Sequence, residues 1–209
     1  MPREIVDITF STSAGYLKSV DYLLDHIQDE DSSRNPNKYA FVLVAASALE
    51  SILNNAVIYW AHHRFGRGDY KRMASAFLSM SLRGKLDSFV FLASDSEFIS
   101  NNESATYQQL SELIRVRNEV AHAKDFPREC ELEIEETEEG HLSFELPTKL
   151  RDALNDTPLS VAYEQCCGYR AALHHLHEIL TEFEGNEGLA QSEFCKRAAQ
   201  PINPPDAAR

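Results

Sequence analysis

The sequence predicts an all-α protein, a helical bundle of five to six helices with an inserted two-stranded β-hairpin. Three observations carry that expectation. Apolar residues recur at three- and four-residue steps through most of the chain, which is the spacing of a helix face. Period-two alternation occurs in one place, about residues 129–147. Parallel β-units and glycine-rich phosphate loops are absent, which removes the usual nucleotide-dependent enzyme classes. The 209 residues suffice for one well-filled core, so a single domain over 1–185 is expected, followed by a loosely packed or disordered tail over 186–209.

From Phe10 to Gln28, the residues Phe10, Leu17, Val20, Leu24 and Ile27 make one helical face. A polar break ends in Asn35-Pro36, an N-cap followed by proline at the first helical position. The second helix then runs to about Arg64. Its stretch Phe41-Val-Leu-Val-Ala-Ala is apolar on nearly every side, as in the central helix of a bundle, and Gly66 and Gly68 close it. Asp69 caps a third segment, Tyr70 to Met80. A fourth follows from Leu82 to Leu92, with Leu82, Leu86, Phe89 and Val90 as its apolar face. Ser94 to Asn102 reads as a polar loop, and Asn102 or Ser104 caps a helix running to about Lys124 before Pro127.

Cys130, Leu132 and Ile134, then Leu142, Phe144 and Leu146, alternate with polar residues about a turn at Thr137 to Gly140. This is the hairpin, acidic outside, and its apolar face is expected to lie on the helices because an isolated hairpin is marginal. Thr157-Pro158 opens the last helix, whose stripe of Leu159, Ala162, Cys166, Tyr169, Leu173, Leu176, Leu180 and Phe183 closes at Gly185.

Composition bounds the function. With 43% hydrophobic and 25% charged residues the chain is an ordinary globular sequence. A formal net charge of -13 argues against a broad, sequence-independent grip on polyanions, which comes from neutralising phosphates with Lys and Arg. Nucleic acid would be met at a local site, and two basic clusters qualify: His62-His63-Arg64 with Arg67, and Arg115 with Arg117. The four cysteines show no CxxC spacing, which points to a reducing compartment. No signal-peptide core is seen at the N-terminus, and the apolar run Tyr39 to Ala61 is broken by Glu50, Asn54 and Asn55, so no membrane association and a cytoplasmic location are expected.

One stretch breaks the pattern. In Leu110 to His122, the residues Leu110, Leu113, Ile114, Arg117, Val120 and Ala121 share one helical arc, while Ser111, Arg115, Asn118 and His122 form a polar stripe beside it. Arg117 lies near the centre of the apolar arc. A guanidinium cannot shed its charge, so an anion, a carboxylate or a wet groove must meet it there. Glu50, alone in the apolar stretch of the second helix, is the natural protein partner, either aiming the arginine or forming a buried structural bridge.

Arg117-Asn-Glu-Val-Ala-His122 resembles the signature of the HEPN superfamily, small α-helical proteins whose Rx4-6H motif is an arginine, usually an adjacent polar residue, and a histidine a few positions on. The preceding apolar helix with a lone glutamate, Ala45-Ala-Ser-Ala-Leu-Glu50, and the Leu110, Leu113, Ile114 spacing are similar to the family context. The resemblance covers roughly Phe10 to Lys124 with the final helix. It implies a homodimer whose motif helices face each other and, in active members, metal-independent RNA cleavage. His122 would move the proton and Arg117 would stabilise the phosphoryl charge, with Asn118 orienting the imidazole or bonding phosphate. Arg117 and His122 project about 140° apart on a straight helix, so a composite site from two chains is part of the expectation.

Two functions follow from the resemblance. One is a metal-independent endoribonuclease, a toxin or phage-defence effector with an antitoxin or other protein partner. The alternative is a non-catalytic module that binds RNA or nucleotide, or only dimerises. Blander readings stand beside them. Arg115 and Ser111 read as solvated groups at the groove edge, with RNA contact as the alternative. His174, His175, His177 and Glu178 read as a polar helix face rather than a metal site, and His62-His63-Arg64 as a helix C-terminus, so no metal or cofactor is expected. The acidic stretch Glu131 to Glu139 reads as a solvated edge.

Overall fold

A computed structural model describes residues 11–27, 36–122, 134–136, 142–145, 147–148, 161–181 and 192–199. Within them the chain is a helical bundle with two small antiparallel sheets. Its elements are α1 (Thr12–His26), α2 (Pro36–Leu78), α3 (Leu82–Ala93), β1 (Phe98–Ser100), α4 (Ala105–Ala121), β2 (Ile134–Glu136), β3 (Leu142–Phe144), α5 (Tyr163–Thr181) and β4 (Cys195–Arg197).

The apolar first limb of α2 is the axis of the bundle. Phe41, Val42, Ala45, Ala48 and Leu49 are all 0% exposed, because α1, α4 and α5 close around them. Each neighbour supplies the stripe its sequence announces: Leu17, Val20 and Leu24 from α1, Leu110 and Leu113 from α4, Leu173 and Leu176 from α5. Burying each such side chain favours the fold by about 1.5–3 kcal/mol. The space at Gly168 is taken by the Gln109 side-chain amide of α4, whose Oε1 would stand 2.7 Å from a Cβ there.

The second limb of α2 differs from the sequence expectation. Helix resumes directly after Gly66, whose φ of 68° is the conformation that favours glycine. On a straight helix Trp60 and Phe77 would stand roughly 25 Å apart. Their ring centroids are 5.2 Å apart, so the helix doubles back at this elbow. Val57, Ala61, Ala74 and Phe89 form a second small core inside the bend.

Hydrogen bonds fix the direction of the next two helices. Lys85 reaches Asn54 at 2.7 Å and Arg64 meets Asp95 at 3.3 Å, so α3 runs parallel to the first limb of α2. Tyr107 reaches Asp87 at 2.5 Å and Arg83 reaches Ser111, so α4 runs antiparallel to α3. The elbow and the end of α4 therefore lie at opposite ends of the bundle.

Two expectations are corrected. The segment Ser94 to Asn102 contains β1, which pairs with β4 in the register Phe98↔Arg197 and Ser100↔Cys195. Residues 192–199, the described part of the region expected to be a loose tail, thus dock over the start of α4, with Phe194 1% exposed beside Tyr107 and its carbonyl accepting from Asn101 N at 2.7 Å. The expected hairpin is present as β2 and β3, in the register Ile134↔Phe144. Ile134 is 58% exposed, so at that position the apolar face is not covered by helices. Cys130, Leu132, Leu146 and the turn at 137–140 lie outside the described residues, as do Phe10, Leu159 and Phe183.

Two of the three histidines of α5 bond within the protein. His174 Nε2 lies 2.9 Å from Asp21 Oδ1, which also accepts from Arg170 Nε at 2.6 Å, and His175 Nδ1 lies 2.8 Å from Thr106 Oγ1. Burial alone would raise the Asp21 carboxyl, but the hydrogen bonds from Arg170 and His174 outweigh it and hold it below its ordinary value. Burial and the neighbouring His174 push His177 down, and His177 Nε2 is buried without a partner.

Two predictions follow from this packing. Phe194→Ala removes a fully buried ring and should cost about 3–5 kcal/mol in denaturant unfolding. An unchanged midpoint would mean that residues 192–199 are not part of the folded unit. Acid should destabilise the bundle in two windows. His177 is depressed in the fold, so its contribution is complete above 6.5 and is lost as pH falls below that value. Asp21 is likewise depressed, so its contribution is complete above 3.8 and is lost as pH falls further. In thermal melts against pH, His177→Gln should flatten the upper window and Asp21→Asn the lower; parental slopes in both variants would refute the assignment.

Candidate functional site

α4 begins at Ser104, whose Oγ accepts from Tyr107 N at 3.2 Å, a serine N-cap that sets the register of the helix. Tyr107, Leu110, Leu113, Ile114 and Val116 are then buried. Arg117 continues the same arc one turn further, where it is half-buried rather than enclosed. Helix ends at Ala121, three residues short of the expected Lys124, which lies outside the described residues.

Asn118 joins the two ends of the motif. Its Oδ1 accepts from Arg117 Nη1 at 3.0 Å, and its main-chain carbonyl accepts from His122 N at 3.0 Å. His122 is the C-cap, with φ −117° and ψ 22°, and its side chain is exposed. Among the described residues the imidazole has no hydrogen-bond partner. The arrangement holds one fixed cation, one amide and one titratable ring at a helix end. It does not bring Arg117 and His122 of one chain onto a common atom, because Asn118 separates them around the helix.

Arg117 and Glu50 are not paired. Glu50 Oε1 instead lies 3.9 Å from Lys85 Nζ, while Arg117 turns to Asn118. The reason is depth. Lys85 is 3% exposed on the inner face of α3, and a buried ammonium needs acceptors close by. Asn54 Oδ1 supplies one at 2.7 Å and Glu50 adds a longer-range anion. Arg117, at the rim, has water within reach and no such requirement. Glu50 therefore supports the buried lysine, and no contact ties it to the motif.

Arg115 and Ser111 lie on the polar stripe leading to His122. Arg115 bridges Glu119 at 2.7 Å and Glu112 at 3.5 Å, so its charge is already met by two carboxylates. Ser111 Oγ accepts from Arg83. Both line an open cleft of about 660 Å³ with Arg83, Asn102, Tyr107, Gln108 and Glu112.

Sequence reasoning missed the centre of that cleft. Arg83 lies over the Tyr107 ring, 5.1 Å from its centroid, donates to the Tyr107 hydroxyl at 2.7 Å and bridges Asp87 at 3.1 Å. Burial and the accepting Asp87 push the Tyr107 hydroxyl up. The four-residue spacing of Arg83 and Asp87 was a legible signal for their pair; nothing local announced Tyr107. Lys85 was legible too, as a cation on the apolar face of Leu82, Leu86 and Phe89.

Compared with known proteins, the chain matches no protein-family model, no curated sequence and no solved structure.

The Lys85 geometry separates two substitutions. Asn54→Ala strips a buried cation of its near acceptor and should cost about 1.5–3 kcal/mol. Glu50→Gln removes only the distant, half-exposed anion and should cost under about 1 kcal/mol. Denaturant titration of both variants checks the order, and a larger loss for Glu50→Gln would show that the ion pair dominates.

Proposed function

We propose that the chain is a metal-independent endoribonuclease of the HEPN type, working in the cytoplasm as a homodimer with Arg117 and His122 in composite sites. The observation that supports this best is the end of α4. A solvent-facing imidazole and a guanidinium with no carboxylate partner among the described residues are tied to one asparagine, on a helix whose other face is locked into the core. The helical bundle accords with the fold that the HEPN resemblance implies.

The chemistry suits these groups. The ribose 2′-oxygen attacks the adjacent phosphorus, a new O–P bond forms, and the bond from phosphorus to the 5′-oxygen breaks. The products are a 2′,3′-cyclic phosphate and a 5′-hydroxyl. His122 takes the 2′-hydroxyl proton or supplies one to the leaving oxygen, since an imidazole exchanges protons near neutral pH. Arg117 stabilises the charge growing on the phosphoryl oxygens, and Asn118 keeps it aimed. Because the two residues diverge on one helix, the Arg117 of each chain serves the His122 of the other across a two-fold axis. A toxin or defence role, with a protein partner that restrains the activity, is the biological setting this reading suggests.

The second reading is a non-catalytic HEPN module for RNA or nucleotide binding or for dimerisation. The net charge of -13 and the carboxylates Glu112 and Glu119 beside the stripe favour it.

Labelled RNA incubated with purified protein in EDTA distinguishes the two. Under the first reading the wild type releases cyclic phosphate, His122→Ala loses about 10²–10⁴-fold of the rate, and Arg117→Met about 10²–10³-fold. Both variants should melt near the parental temperature, since neither side chain is enclosed. No cleavage of varied RNAs, or equal cleavage by His122→Ala, would sink the nuclease reading.

A further inference from the structure

The basic cluster His62-His63-Arg64 with Arg67 is the sequence feature that the site on α4 does not absorb. Residues 51–86 carry six of the chain's 20 Lys and Arg and one of its 33 Asp and Glu, so an acidic protein concentrates positive charge around one bend. At the elbow of α2 this charge accompanies exposed rings. Tyr59 is 57% exposed and packs against His63 at 4.4 Å between centroids. His63 meets His62 at 6.1 Å, His62 meets Tyr70 across the bend at 5.2 Å, and Lys71 lies 6.0 Å from the centre of the Tyr70 ring.

The result is a chain of ring contacts crossing from one limb of α2 to the other, in which the half-buried His62 meets its neighbours edge-on and Tyr59 and His63 are the exposed rings. Arg64, Arg67, Lys71 and Arg72 lie at or beside its ends, all exposed, and Asp69 and the Arg64 partner Asp95 are the nearby acids. Exposed rings flanked by cations are what unstacked bases on a phosphate backbone require: stacking on Tyr59 and His63 holds the bases and Lys and Arg neutralise the phosphates. An acidic peptide would use the cations and leave the rings without a purpose.

We propose that the elbow of α2 is a binding platform for single-stranded RNA, separate from the end of α4. The choice of RNA over DNA rests on the nuclease reading; the platform itself rests on the rings and cations. Tyr59 and His63 stack bases, and Lys71 and Arg72 hold the backbone. The elbow lies roughly 35 Å from His122 along the bundle, by the rise of the helices between them, so it captures substrate without taking part in the chemistry.

Fluorescence anisotropy with labelled oligouridylate tests this, using the full chain carrying His122→Ala so that the probe stays intact. Tyr59→Ala with His63→Ala should weaken binding about tenfold and leave the salt dependence unchanged. Lys71→Ala with Arg72→Ala should also weaken binding and reduce the slope of log K against log salt by roughly 1.4. Circular dichroism confirms folding, which these exposed side chains do not control. Binding within twofold of the parent in both double variants would overturn the platform. So would displacement of the RNA by polyglutamate at equal charge, which would assign the surface to an acidic protein. RNA bound at the elbow by a wild type that cleaves nothing retains the platform and sinks the nuclease reading. Cleavage by the wild type with unaltered binding in the elbow variants does the reverse.

Discussion

Everything in the bundle depends on the burial of the first limb of α2. Most of its apolar surface has to be covered, and α1, α4 and α5 meet that demand with one stripe each, leaving Leu43, Ile58 and Tyr59 on the side that meets water. The constraint fixes more than stability. Once Leu110, Leu113 and Ile114 are committed to the core, the rotation of α4 is set, and Ser111, Arg115, Asn118 and His122 must project away from it. The position of the candidate site is thus a consequence of packing against α2, and a one-residue slip of α4 would turn Arg115 inward.

Lys85 and Arg117 both occupy apolar helix faces, and depth separates their fates. Lys85 is enclosed, and the fold provides Asn54 at 2.7 Å and Glu50 at 3.9 Å. Arg117 lies between the buried Val116 and Val120, which packs on the core, yet is only half-buried itself, so its guanidinium can keep its hydration while its stem covers apolar surface. A satisfied buried charge is structural by default, because every contact it needs is already made. A half-buried charge held by a single amide retains donors for a ligand. That contrast, rather than the presence of an arginine in an apolar arc, distinguishes Arg117 as a candidate for chemistry.

The helices were legible because their burial is one-sided and periodic: the stripes of α1, α3, α4 and α5 read directly from three-four spacing, and Ser104 and Ser81 cap where a serine precedes an apolar run. What escaped were features set by partners distant in sequence. β1 and β4 are three residues each and separated by nearly a hundred positions, so neither has a period to detect, and the burial of Phe194 depends on that pairing. The elbow was half legible. Gly66 announced a break, but whether the chain stops or folds back there is decided by Trp60, Ala61, Ala74 and Phe77 meeting across it. In the site, the stripe from Ser111 to His122 was readable from the helix period, whereas the choice of Lys85 over Arg117 by Glu50 required the depth of each helix.

The sign of the net charge is a poor guide to what such a chain can bind. At physiological salt the field of a charge is screened within about 8 Å, so a phosphate at the elbow senses the nearby Arg64, Arg67, Lys71 and Arg72 far more than acids beyond that distance. Acidity elsewhere has a different effect: at low salt it slows encounters with polyanions, a repulsion that added salt screens. Under the nuclease proposal the acidic body needs a local cationic foothold, since Arg115 beside the α4 stripe is already met by Glu112 and Glu119. The elbow supplies one at the opposite end of the same bundle. RNA held there meets the α4 end only if the strand is long enough to span the bundle, or if a second copy of the chain brings its own α4 alongside. Under the nuclease proposal, either route makes substrate length a determinant of cleavage that the geometry of the α4 end alone would not impose.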